Sequence, residues 1–155
     1  MATLDLHAGR VFVESEIKKG IYMDKLKIVA FVCLHGSAKS LIAAEYLTRT
    51  ARARGLNFLG TTSGPEPDPE IPENVVAGLN EKMIDVSGRI PVLVSADALA
   101  NADHIVSFGY DLTSLITPGR HVESWADCPT VSDDFDTAWT FITRRVDRLL
   151  DSMPK

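Results

Sequence analysis

A run of five apolar residues, Ile28-Val29-Ala30-Phe31-Val32, passes directly into Cys33-Leu34-His35-Gly36-Ser37-Ala38-Lys39-Ser40, and a helical pattern opens where that stretch ends. A continuous, partly β-branched run of this kind reads as a buried strand of a parallel sheet. The helical segment, Ser40 to Arg54, carries Leu41, Ala44, Leu47 and Ala51 on one face, with Gly55 as its stop. A cysteine at a strand end, facing the amides of a short loop and a helix N-terminus, sits in an electropositive place. Such a site can hold a thiolate and a tetrahedral oxyanion together.

The same alternation continues along the chain. Phe58 to Thr62 reads as a second strand, and Gly64-Pro65-Glu66-Pro67-Asp68-Pro69 as a loop. Pro72 to Met83 is expected to be a helix with Pro72 near its first turn. Ser95-Ala96-Asp97 opens a short helix ending near Ala102, His104 to Phe108 forms a third strand, and His121 to Trp125 a fourth. An amphipathic helix from about Asp133 closes the chain, burying Phe135, Ala138, Trp139, Ile142, Val146 and Leu149, with Ser132 as its N-cap. Strands alternating with helices imply a parallel sheet covered on both faces, with ligands bound beyond the strands' carboxyl ends. Residues 1–26 read as an N-terminal extension in which Val11-Phe12-Val13 could pair as an edge strand, and residues 27–155 as the domain.

The 155 residues suffice for one domain with a real core. A net charge of −5 gives no global attraction for nucleic acid or an anionic membrane, so anion binding must be local. No apolar run approaches a membrane span. Cys33 and Cys128 make no disulfide framework, and with no signal peptide the expected compartment is the cytoplasm. No metal site and no cofactor are expected, because the histidines and cysteines lack zinc-ligand spacing.

Within residues 33–40 the chemistry falls to particular side chains. Cys33 is the candidate nucleophile, with Lys39 and the helix start to favour its anion and the Ser40 hydroxyl to hydrogen-bond its sulfur. Leu34, His35, Gly36, Ser37 and Ala38 would line the anion, the small residues letting backbone N–H groups close around it. An isolated cysteine ending a strand is more often a plain core residue; the spacing to Lys39-Ser40 and the strand-loop-helix setting favour an anion-binding loop. A nucleotide P-loop ends similarly but needs glycine where Cys33 and Ala38 stand.

Val29-Ala30-Phe31-Val32-Cys33, five further residues and Lys39-Ser40 resemble the low-molecular-weight protein tyrosine phosphatases, whose fold the thioredoxin-coupled arsenate reductases share. Thr62-Ser63-Gly64, Ile84 through Arg89, Asp103 through Phe108 and Trp125 through Pro129 resemble further family segments in order, over roughly residues 27–152. The resemblance implies a three-layer α/β sandwich with a four-stranded parallel sheet. It also implies phosphomonoester hydrolysis through a phosphocysteine on Cys33, possible on phosphotyrosine-type substrates, with Lys39 at the position of the family's oxyanion-clamping arginine and Ser40 assisting the thiolate. The family's general acid precedes a proline; here Cys128 precedes Pro129, and Asp127, one residue earlier, is the candidate acid. Lysine offers a point charge where arginine offers a planar fork, so Lys39→Arg is expected to raise turnover.

Two alternatives accompany this expectation. One is arsenate reductase-like chemistry on Cys33 with an external thiol, because Phe108-Gly109-Tyr110-Asp111 supplies no further cysteine after the third strand. The other is a non-catalytic oxyanion-binding or partner-binding module. The expected partner is a phosphate-containing or arsenate substrate, not nucleic acid or membrane.

Overall fold

The structure, a computed structural model, describes residues 26–153. Its layering follows from the first strand, β1 (Lys27–Val32). Successive strand side chains point to opposite faces. Val29 and Phe31, followed by Cys33, enter one core, while Ala30 and Val32 enter another. β1 is flanked by β2 (Phe58–Ser63) and β3 (His104–Ser107), and β3 by a two-residue β4 (Glu123–Ser124), giving a sheet of order β2-β1-β3-β4 with every pair parallel.

Helices α1 (Lys39–Ala53), α2 (Glu73–Glu81) and α4 (Phe135–Ser152) contribute Leu41, Leu47, Val75, Leu79, Ile142 and Val146 to the larger core. The short α3 (Ala96–Ala100) brings Leu99 to the smaller one, with Ile105, Val94 and Leu112. The result is the expected three-layer α/β sandwich. Trp125 is wholly buried in the larger core, its ring centroid 5.7 Å from Phe31 and 5.6 Å from Phe108. Truncating such a residue typically costs about 3–5 kcal/mol. Because the chain leaves β1 to one side for β2 and returns to the other side for β3, the carboxyl end of β1 is a switch point, where ligands of such sheets bind. Among the described residues no helix is long and apolar enough to cross a membrane.

Several element ends differ from the sequence expectations. The fourth strand is Glu123–Ser124 rather than His121 to Trp125, because β3 offers it only Val106 and Ser107 as partners. Before it, the Arg120 guanidinium donates to the carbonyls of Leu99 and Ala102 and holds the approach as a loop. α2 ends at Glu81, not Met83, since Met83 takes a left-handed φ of 66° that stops the helix. α4 starts at Phe135, and its cap is Asp134 instead of Ser132: one Asp134 carboxylate oxygen accepts from the N–H groups of Asp136 and Thr137. The preceding residues are committed to a turn in which Thr130 donates to Asp133. Phe135 and Trp139 are half-buried rather than core; they stack on each other, with the Lys82 ammonium 5.3 Å from the Trp139 ring. The expected edge strand at Val11-Phe12-Val13 lies outside the described residues.

Candidate active site

β1 delivers Cys33 to the floor of a cavity of about 380 Å³. Leu34, His35, Ser37, Ala38 and Lys39 line it from the loop, Asp68 from the proline-rich segment, Val75 from α2, and Phe108, Thr130 and Val131 from beyond the later strands. Gly36 and Ser40 do not line it. They lie underneath, where they set the loop's shape.

That shape is fixed by hydrogen bonds across the chain. Cys33 N–H donates to the Ser63 carbonyl, Glu66 N–H to Leu34 and Asp68 N–H to His35. Pro65, Pro67 and Pro69 alternate with those donors, so the residues lacking an N–H fall where none is required. Gly36, at φ 61°, packs its backbone against Gly64; a Cβ on Gly36 would lie 2.8 Å from Gly64 N, and one on Gly64 2.4 Å from the Cys33 carbonyl oxygen. Both positions therefore require glycine.

Below the cavity a short polar chain reaches the sulfur. Cys33 Sγ is 3.0 Å from Ser40 Oγ, which is 2.6 Å from Thr62 Oγ1, which is 3.3 Å from the Gly36 carbonyl oxygen. Each hydroxyl has one hydrogen, so the chain has two consistent directions. A thiol donates to Ser40, Ser40 to Thr62 and Thr62 to the carbonyl. A thiolate reverses the order: Thr62 donates to Ser40 and Ser40 to the sulfur. The sequence reading places Thr62 at the end of the second strand without a role at the site; its register opposite Phe31 puts it here.

The positive end of the site comes from α1. Lys39 is its first residue, its N-cap Ala38 offers no side-chain acceptor, and its first turn holds no acidic residue. Nothing in the helix thus offsets the partial positive charge of its N-terminus. Among the described residues Lys39 makes no ion pair, which leaves its ammonium to the cavity.

The side contributed by residues 125–134 is different. Asp127 does not line the cavity. Its carboxylate accepts from Arg145 Nη2 at 2.7 Å, and that guanidinium is seated over Phe141 and Trp125, 4.6 and 5.8 Å from their ring centroids. Cys128 turns inward into the larger core, where burial pushes its thiol up to about 11 despite the opposing charge of Lys39. Asp68, which the sequence offered only as part of a loop, is the carboxylate that reaches the cavity. Its Oδ2 accepts from Ser37 Oγ at 2.6 Å and its Oδ1 lies 3.7 Å from His35 Nδ1.

Residues 28–122 match the family model of the low molecular weight phosphotyrosine protein phosphatases. The chain belongs to this family. The match includes the whole Cys33 loop and ends before Trp125. A Halobacterium salinarum protein named "Putative arsenate reductase" is 29% identical over 98 residues, 62% of this chain and 69% of that protein. Among solved structures, YfkJ from Bacillus subtilis superposes with a TM-score of 0.71 at 19% identity, covering 82% of this chain and 94% of that one. The thioredoxin-dependent arsenate reductase of Corynebacterium glutamicum gives 0.71 at 24% identity, over 86% of this chain and 65% of that one. A low molecular weight protein tyrosine phosphatase from T. tengcongensis gives 0.65 at 15% identity, over 82% and 99%. These likenesses establish the fold. Cysteine-based phosphatase or arsenate-reductase-type chemistry is the frame for this family member's cavity.

Proposed function

We propose that this protein hydrolyses phosphate monoesters through a phosphocysteine on Cys33. The observation that carries this reading is the convergence on one cavity of the Cys33 sulfur, the Ser40–Thr62 hydroxyl chain, the Lys39 ammonium and an uncapped helix N-terminus. In the first step the Cys33 thiolate forms a bond to phosphorus and the ester P–O bond breaks, its electron pair leaving with the alcohol oxygen. In the second, water forms the new P–O bond and the S–P electron pair returns to sulfur, releasing phosphate. Lys39 and the N–H groups of the loop oppose the charge on the equatorial oxygens in both steps. Ser40 holds the sulfur when it is the leaving group. Asp127 would have to release Arg145 before it could serve as acid.

The test is hydrolysis of p-nitrophenyl phosphate between pH 4.5 and 8, with Cys33→Ser alongside. Turnover that disappears in the serine variant supports the reading; a serine variant as active as wild type removes it. Phosphate binding seen by calorimetry, with no turnover, would instead identify a binding module.

A second reading is arsenate reduction, which the Halobacterium relative's name favours. Cys33 would displace a hydroxyl from arsenate. An external thiol would then attack the Cys33 sulfur, the S–As electron pair leaving with arsenic as arsenite, and a second thiol would reduce the mixed disulfide. Arsenite formation dependent on Cys33 and on added thiol supports it; none above a protein-free control excludes it.

A further inference from the structure

Departure of an alkoxide or phenoxide calls for a proton donor, and the family's usual position for one, immediately before Pro129, is held here by Cys128. That thiol is buried among apolar side chains and does not line the cavity. Asp127 is occupied by Arg145. Four titratable side chains line the cavity among the described residues: Cys33, His35, Lys39 and Asp68. Cys33 makes the attack and Lys39 faces the anion. Asp68 is tied to the loop, one oxygen accepting from Ser37, its N–H donating to the His35 carbonyl. His35 is left.

Its ring is held in one tautomer. Nδ1 lies 2.8 Å from the Glu66 carbonyl oxygen. A carbonyl only accepts, so Nδ1 carries a hydrogen in both charge states of the ring. The atom that gains and loses a proton is therefore Nε2. The Asp68 carboxylate lies beside the imidazole, its Oδ1 3.7 Å from Nδ1, and Lys39 lines the same cavity.

We propose that His35 Nε2 is the proton carrier of this site, with Asp68 as its positioning residue. This rests on the phosphoryl-transfer reading above. As the ester P–O bond breaks, the leaving oxygen takes the Nε2 proton and the ring becomes neutral. In the second step Nε2 accepts a proton from the attacking water while the S–P bond breaks, and the imidazolium is restored.

His35→Asn separates this role from a structural one, because asparagine can keep an N–H where Nδ1 stood but has no atom at Nε2. Turnover is measured on p-nitrophenyl phosphate, whose leaving group needs little help, and on phenyl phosphate, whose leaving group needs a proton. The expected result is a loss of about 100-fold on phenyl phosphate, less than tenfold on p-nitrophenyl phosphate, and a basic limb absent from the kcat–pH profile. Asp68→Asn should lower turnover of phenyl phosphate more than of p-nitrophenyl phosphate, in the same order as His35→Asn but with a smaller loss and with the basic limb still present. Equal losses on the two esters, with the profile unchanged, would overturn the assignment to His35 while leaving the Cys33 reading in place. Wild-type protein without Cys33-dependent turnover of either ester would remove both. Should the asparagine variant fold poorly, His35→Gln, whose amide falls near Nε2 but cannot release a proton, should show the same ester-dependent loss and the same missing limb.

Discussion

On one side of the cavity, residues 33–40 are held from several directions at once: by Ser63, Glu66 and Asp68 through the backbone, by Thr62 through Ser40, and by Gly64 through direct backbone contact. On the other side, residues 125–134 send their polar groups elsewhere, Asp127 to Arg145, Thr130 to Asp133, and Cys128 into the core. The first side is the one proposed above to hold an oxyanion against a thiol. The second closes the cavity without presenting an acid to it. On the reading proposed above, anion binding and proton delivery both fall to the first side, His35 supplying the proton that residues 125–134 do not present.

The largest expected effect tests whether the first side does its work through charge. Lys39→Ala should lower kcat by roughly 10²–10³-fold, the range seen when one donor to a developing oxyanion is removed, and Lys39→Arg should raise it. Steady-state kinetics on p-nitrophenyl phosphate decide both; an alanine variant within a few-fold of wild type would mean that the helix N-terminus alone holds the anion.

The two cysteines offer a sharper contrast. At pH 7 a thiol pushed up to about 11 by burial is almost wholly protonated, and alkylation needs the thiolate. Iodoacetamide should therefore label Cys33 at least about 100-fold faster than Cys128, with both sites labelled equally once the protein is unfolded. Peptide mass spectrometry over time reads this, and Cys128 reacting first in the folded protein would contradict the placement.

A more modest change is expected of Ser40→Ala. Loss of a hydrogen bond to a charged partner is worth roughly 1.5–3 kcal/mol, so kcat should fall about 10–100-fold. Thr62→Ala should fall less, because it acts through Ser40; the reverse order would show that Thr62 serves another group.

The second side, with the β4 residue Glu123 that anchors Trp125, should respond mainly in stability. Burial raises the pKa of Glu123, but hydrogen bonds from Trp125 and His104 overcome it and leave the carboxyl below its ordinary value. A lowered folded-state pKa stabilises the protein above the unfolded value, and that stabilisation is lost as pH falls through the folded-state value. Glu123→Gln should thus lower Tm by a few degrees at pH 7 and by less at pH 3.5, a difference thermal melts will show or refute. The smallest effect is reserved for Asp127→Asn, whose exposed pair with Arg145 contributes little to stability and which does not line the cavity; kcat should stay within about twofold. A loss of a hundredfold would instead show that Asp127 swings to the substrate.

The fold was legible because its signals are local. β1 announces itself by an unbroken apolar run, Gly55 and Pro72 mark helix limits, and the spacing from Cys33 to Ser40 names the loop. The wiring of the site was less legible because it is not local. Asp127 looked available beside Pro129, but Arg145 reaches it from a helix 18 residues further on. Asp68 read as one residue of a proline-rich loop, and nothing in its neighbours told that it meets Ser37 across 31 residues. Helix starts shifted for a similar reason: Ser132 had the chemistry of a cap, but Thr130 and Asp133 closed a turn and passed the role to Asp134.

The alternation of prolines with hydrogen-bonded residues from Pro65 to Pro69 has a consequence for timing. Each proline removes backbone freedom before any ligand arrives, and each intervening N–H fastens the Cys33 loop to that stiff rail. The ordering of the loop is thus completed during folding, not at the moment of encounter. For the oxyanion proposed above, the cradle would already be in shape, and little of its binding free energy would be consumed in immobilising the chain around it.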